Sequence, residues 1–313
     1  MPSPSRFIWQ RRLAAPGCVV LLCLSLLTSC NYGVIDLDVQ GHRGCRGLMP
    51  ENSLPAFKKA WELGVTTLEM DVVISRDRQV VVSHEAWFSH EFCQDSAGHD
   101  ITEAEERSHN IFKMDYADVL KYDCGSRVHP RFQNQQHLKV IKPLLSEVFA
   151  EIEAMVDPND YSEDARWPRY NIELKVEPGD TGVFGPPAKE FAQLVLEQVR
   201  AANVSDRCTL QSFDLETLRE LRRQDQNIQL ALLVEEDEKF MDKLAELGFY
   251  PEILSPYFGL VTEEMLSFSA TKNMKVIPWT VNEEADMRRM VKLGVHGIIT
   301  DYPDRLLELL KTM

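Results

Sequence analysis

Basic residues are scarce in this chain: 34 Lys and Arg stand against 49 Asp and Glu, a formal net charge of −15. Such a surface repels polyanions, which excludes nucleic acid as a partner. Long apolar runs are missing too. The longest, residues 13–27, falls short of the roughly 20 apolar residues needed to cross a bilayer, and no long apolar interfacial segment stands in residues 86–169. Cysteine is sparse, seven in 313 residues, and its spacings match no zinc site. Neither a low-complexity tract nor a repeat longer than one strand and one helix is present.

What is there suffices for a full-size globular core, since 44% of the residues are hydrophobic. From Asp36 onward short apolar strands alternate with amphipathic helices. Strands are expected at 38–42, 67–73, 171–175, 209–213, 229–234, 253–257, 276–280 and 297–300. Helix signals stand between them. Ser53 can cap a helix whose Leu54, Phe57, Ala60 and Trp61 share a face and whose end is marked by Gly64; Asn282-Glu283-Glu284 opens another, with Met287, Met290 and Val291 before Gly294. Eight such units predict a (β/α)8 TIM barrel over residues 36–313.

Two segments depart from that period. A further strand at 80–84 follows the apolar run 67–74 after only five residues, too few for a parallel crossover, so residues 69–85 are read as a β-hairpin that returns position 84 beside position 71. Asp77-Arg78 offers no glycine for a tight turn there. Between His84 and the strand at 171 lie more than eighty residues, broken at 95–98, 129–130 and 157–168; residues 86–169 are read as an inserted cap subdomain over the barrel mouth, with a helical patch at 143–155.

The residues that carry chemistry cluster at strand ends, where an α/β barrel displays its catalytic groups. Glu69 and Asp71 are two apart on one strand, so their side chains share a face with Cα atoms about 6.6 Å apart. One oxygen from each can reach a single ion, and Glu173, near the end of the next strand, supplies a third carboxylate. All-oxygen ligation favours one divalent cation, Ca2+ or Mg2+, over zinc. Leu68-Glu69-Met70-Asp71-Val72-Val73 otherwise reads as buried strand, where unpaired carboxylates are too costly to keep. His42 and His84 are the candidate acid and base, imidazole being the group that titrates near neutrality. Arg43 can hold a phosphate through two donors, and Lys175, on the face of Glu173, adds a point charge. Two imidazoles, a guanidinium and paired carboxylates suit phosphodiester cleavage.

Taken in order, His42-Arg43-Gly44, Pro50-Glu51-Asn52, Ala56-Phe57, Glu69-x-Asp71-Val72, His84, Ile172-Glu173-Leu174-Lys175, Ser212-Phe213, Trp279-Thr280-Val281-Asn282 and Gly297-Ile298-Ile299-Thr300-Asp301 resemble the successive motifs of the glycerophosphodiester phosphodiesterase family. The resemblance implies a barrel enzyme that hydrolyses glycerophosphodiesters to sn-glycerol 3-phosphate and an alcohol. It makes Glu69, Asp71 and Glu173 metal ligands, His42 and His84 base and acid, and Arg43 and Lys175 phosphate binders. Phe213 and Trp279 then line the substrate pocket or pack the barrel. Glu85 stands where the family usually has Asp. A phosphatidylinositol-type phospholipase C or sphingomyelinase D shares barrel, histidines and acids, and a silent binding lipoprotein needs fewer of them.

Residues 1–30 resemble a bacterial lipoprotein signal peptide: Arg6, Arg11 and Arg12 precede the apolar run, which ends in Leu27-Thr28-Ser29-Cys30. The residues around Arg11-Arg12 do not fit a twin-arginine motif. The resemblance implies cleavage before Cys30, lipidation of that cysteine, and a protein anchored at the cell envelope, at the outer membrane or the periplasmic face. Removing the three arginines takes the charge to −18. Export permits disulfides among Cys45, Cys93, Cys124 and Cys208; of three possible pairings, Cys93 to Cys124 is a guess the sequence does not enforce. Head group, choice of cation and oligomeric state are not written in these motifs.

Overall fold

The computed structural model of the protein describes residues 37–157, 159 and 166–313. The expected signal segment and Cys30 lie outside the described residues. Within them no helix is long and apolar enough to cross a membrane.

Among the described residues nine strands form one sheet: β1 Asp38–Gly41, β2 Thr67–Ile74, β3 Val80–Val82, β4 Arg169–Leu174, β5 Cys208–Ser212, β6 Gln229–Val234, β7 Ile253–Pro256, β8 Lys275–Val276 and β9 Gly297–Thr300. Eight of them are parallel, in the order β8-β7-β6-β5-β4-β2-β1-β9, while β3 pairs antiparallel with β2. The ring closes between its two ends, where His296 N donates to the Val276 carbonyl and Val281 N to the Ile299 carbonyl. This is the expected (β/α)8 barrel. The expected strand at 276–280 is cut short because Pro278 has no N–H for the ladder. Its neighbours keep the course: Ile277 N and Trp279 N still donate to the Leu254 and Pro256 carbonyls.

Helices α1 Leu54–Leu63, α2 Tyr116–Val119, α3 Leu145–Glu153, α4 Ala188–Ala201, α5 Leu215–Gln224, α6 Phe240–Leu247, α7 Glu263–Thr271, α8 Glu284–Leu293 and α9 Pro303–Leu310 follow. All but α2 and α3, which come after the antiparallel β3, directly follow a parallel strand. The Ser53 side chain accepts from Ala56 N at the start of α1, and Gly64 ends it in the left-handed region at φ 104°, as its sequence predicts. Strand alternation sorts the core. Leu68, Met70, Val72, Tyr170, Ile172 and Leu174 join the apolar cluster between sheet and helices, which sends Glu69, Asp71, Asn171 and Glu173 to the barrel interior.

The hairpin is present with a register one residue from the expected one. Val72 pairs with Val82 and Ser83 N donates to the Asp71 carbonyl, so position 83, not 84, lies opposite 71. A five-residue turn causes the shift: Ser75 N donates to the Gln79 carbonyl, and Arg78 takes φ 62°. Beyond it the chain builds a second small core around Phe88, Phe92, Ile111 and Val119, using Val73 and Val81 of the hairpin as its floor. A disulfide joins Cys93 to Cys124 within it. The patch at 143–155 is not cap. It is α3, whose Leu145, Val148, Phe149 and Ile152 lie in the main core, Phe149 edge-on to Tyr170 of β4. The insertion proper ends near residue 144.

Candidate active site

At the C-terminal mouth of the barrel the loop after β1 folds back under α1. Gly44 takes φ 84°, and a Cβ there would meet the Ala56 backbone at 2.7 Å, so only glycine lets the loop approach this closely. The fold-back aims Arg43 N at Glu69 Oε2 (2.8 Å). Asn52, at φ 52°, reaches from the other side of the same loop and donates from Nδ2 to Asp71 Oδ2 at 2.8 Å. Gln211 of β5 donates to Glu69 Oε1 at 3.0 Å.

Register places the acids side by side: Asp71 and Glu173 are direct partners across β2 and β4. Glu69, Asp71 and Glu173 each offer one oxygen within 4.8 Å of the others, and all three are buried. Burial, and then the charges of Asp71 and Glu173, hold the Glu69 carboxyl well above the usual range. Glu173 is pushed up to about 7 by burial and by Asp71, against the pull of Lys175. Burial acts against the charge of Asp71 as well, but the Arg43 guanidinium and His84 overcome it and hold this carboxyl low. Asp71 Oδ1 is buried with no hydrogen-bond partner. Three crowded carboxylates and an orphaned oxygen fit a hard divalent cation, which would supply the missing partner and the missing charge.

Both histidines line the same cavity. His42 is buried; its Nδ1 meets Asp301 Oδ1 at 2.7 Å and its Nε2 lies 3.9 Å from Glu69 Oε2. Burial lowers its pKa to about 4, assisted by Arg46. His84, its side chain 29% exposed, pairs through Nδ1 with Glu85 Oε1 at 2.8 Å. Burial and then Arg43 lower its pKa as well. Both rings, with Arg43, Lys175, Phe213 and Trp279, line one cavity of about 290 Å³ that Glu69 and Glu173 also face. Arg43 is held by Glu51 (2.6 Å) and Asp71 (3.2 Å), and Lys175 by Glu173 (2.8 Å). Phe213 stands edge-on to Trp279, with 5.5 Å between centroids.

Sequence reasoning left out several groups here. Asp301, Glu51 and Asn52 stand inside the motifs that carried the resemblance, though no role attached to them. Gln211 had a signal in the alternation that points Leu210 outward and residue 211 inward. Arg46 and Arg131 had none; Arg131 comes from the insertion and lines the same cavity.

Fold and site together define a class: a barrel hydrolase with two imidazoles and a carboxylate cluster around one polar cavity at the strands' C-terminal ends. The glycerophosphoryl diester phosphodiesterase family matches residues 42–305. A candidate glycerophosphoryl diester phosphodiesterase from Silicibacter pomeroyi is 33% identical, with a TM-score of 0.77 over 88% of this chain and 94% of that one. The glycerophosphodiester phosphodiesterase of Caldanaerobacter subterraneus subsp. tengcongensis is 27% identical over 282 residues, 87% of this chain and 97% of its own length. An Oleispira antarctica phosphodiesterase, solved with its product sn-glycerol-3-phosphate, shares the fold at 21% identity and a TM-score of 0.68, over 88% of this chain and 96% of that one. The chain belongs to the glycerophosphoryl diester phosphodiesterase family and is an enzyme, a phosphodiesterase.

Proposed function

We propose that the enzyme hydrolyses glycerophosphodiesters to sn-glycerol 3-phosphate and an alcohol, with His42 and His84 as its acid–base pair and Glu69, Asp71 and Glu173 holding one Ca2+ or Mg2+. The observation that carries this is the single cavity on which both imidazoles and the carboxylate cluster converge. The product bound to the Oleispira antarctica relative supports the same substrate class. When bound, the cation neutralises phosphate charge and acidifies a coordinated hydroxyl. Arg43 and Lys175 orient the phosphate, while Phe213 and Trp279 close the organic end of the cavity. One imidazole takes the proton of a glycerol hydroxyl as it attacks phosphorus; the other protonates the departing alcohol. Water then opens the cyclic phosphate with the two roles exchanged.

A metal-reconstitution assay over a panel of glycerophosphodiesters tests the reading. Chelated enzyme should release no sn-glycerol 3-phosphate and recover with Ca2+ or Mg2+, and His84→Ala should lose roughly 10²–10⁴ in rate. Chelator-resistant turnover, or an unimpaired His84→Ala, removes it. The lipid-directed alternative is separated in the same assay by phospholipid vesicles, from which no alcohol should be released. The lipoprotein-like segment ending at Cys30 supports attachment of this enzyme to the cell envelope, at the outer membrane or the periplasmic face.

A further inference from the structure

Four buried polar atoms that lack a hydrogen-bond partner among the described residues, His129 Nε2, Glu51 Oε2, Arg43 Nε and Asp71 Oδ1, lie along one path from the insertion to the carboxylate cluster. Arg43 Nη1 donates to Glu51 Oε1 at 2.6 Å, while Arg43 Nε stands 3.2 Å from Asp71 Oδ2 without the alignment to donate to it. Glu51 Oε2 faces His129 Nε2 at 3.8 Å. Arg46 does not fill that gap: its Nη1 is 3.7 Å from the same oxygen, and its Nε and Nη2 are committed to Asp301 at 2.8 and 3.1 Å. A packed interior pairs nearly all such atoms, so four on one path mark groups that a ligand completes. The backbone settles which way His129 is protonated. Its Nδ1 accepts from Arg131 N at 3.2 Å, and a peptide N–H can only donate, so Nδ1 keeps its lone pair and the ring proton sits on Nε2, the atom turned to Glu51. The ring is buried, stacked on Phe92 with centroids 5.0 Å apart and edge-on to Phe132 at 4.9 Å, so it cannot turn away to solvent.

We infer that His129 is a positioning residue of the insertion: when a phosphate occupies Arg43, the His129 Nε2–H closes onto Glu51 Oε2 and through Glu51 fixes the guanidinium that holds the phosphate. The inference rests on the phosphate-binding role given to Arg43 above and deepens it. A phosphate oxygen satisfies Arg43 Nε but shares the charge of the guanidinium with Glu51, whose buried carboxylate then lacks part of its counter-charge. The His129 N–H is the donor that faces its free oxygen. Closing from 3.8 Å to an ordinary N–H···O distance of about 2.9 Å takes a movement of roughly 0.9 Å, and contacts of this kind run long in empty sites and tighten in the complex. Because the guanidinium is planar, the hold on Nη1 sets the direction in which Nε points. No proton changes hands along the path.

NMR of the His129 Nε2–H in the full chain, in Mg2+ and titrated with inorganic phosphate and separately with sn-glycerol 3-phosphate, reads the contact without turnover. A downfield shift of that proton is expected as the anion is added; a resonance that neither anion moves, or a proton found on Nδ1, overturns the inference. Kinetics give the second arm. His129→Leu keeps apolar bulk and removes the donor, so KM for glycerophosphodiesters should rise roughly tenfold, the loss of one hydrogen bond to a charged group, with kcat within about threefold. His129→Gln, which can present an amide N–H at the same reach, should recover most of that loss. In a Glu51→Gln background His129→Leu should cost less than about twofold, because His129 acts only through Glu51. Equal losses in both backgrounds, or a His129→Gln no better than His129→Leu, would make His129 a packing residue and overturn the inference. Should His129→Leu fail to fold, the wild-type resonance still decides. A wild type whose Nε2–H shifts with inorganic phosphate but which turns over no diester would remove the functional reading and leave this inference standing.

Discussion

Glu173 carries the clearest pH signature of any residue in the cavity. Its carboxyl is raised to about 7 by burial and by Asp71, whereas an unfolded glutamate titrates near 4.3. Between those values the folded chain keeps a proton that the unfolded chain has released, so this group's contribution to stability falls as pH rises through the window. Above it the metal-free site bears the whole penalty. Glutamine in its place cannot titrate. In chelator, the Tm of the wild type relative to Glu173→Gln should therefore fall as pH is raised from 5 to 8, and Ca2+ or Mg2+ should restore the wild type most at pH 8, where the ligands are already deprotonated. A Tm difference independent of pH would show that Glu173 is not held protonated by its neighbours.

At the scale of elements, the insertion bears on the chemistry through Arg46. Phe132 lies with its ring 4.9 Å from the Arg46 guanidinium, and Gln135 donates to the Arg46 carbonyl at 2.7 Å, both from the segment that ends before α3. Arg46 in turn clamps the carboxylate beside His42. Phe132→Ala should lower kcat about tenfold, since small displacements of a catalytic group cost up to roughly 10², while circular dichroism of the barrel stays unchanged. An unaltered kcat would mean that the barrel alone holds Arg46. These long-range partners also show where sequence reading stops. The strands, α1 between Ser53 and Gly64, and the charged positions inside apolar β2 and β4 were legible because period and burial conflict are local signals. Asp301 and Arg46 are 255 positions apart, and nothing near either one announces the pair. The hairpin slipped by one because Arg78 adopts a left-handed conformation that its residue type does not signal. α3 was read as cap because an apolar stripe shows that a face is buried, not against what.

For the whole molecule, charge and the proposed attachment pull in opposite directions. The proposed cleavage before Cys30 would leave a net charge of −18, which repels an anionic bilayer surface, and no described helix is long and apolar enough to span a membrane. The proposed residence at the envelope would depend on acyl chains, each buried CH₂ contributing about 0.8 kcal/mol, so that two or three chains would hold essentially permanently. Every group assigned to the chemistry lies between His42 and Asp301, in the unit that runs from Asp36 to Met313. Cys30→Ser should accordingly move the protein from the membrane to the soluble fraction while leaving kcat on water-soluble glycerophosphodiesters within about twofold. Unchanged fractionation would refute lipid attachment at Cys30. Release accompanied by lost turnover would instead show that the membrane surface helps to form the working site.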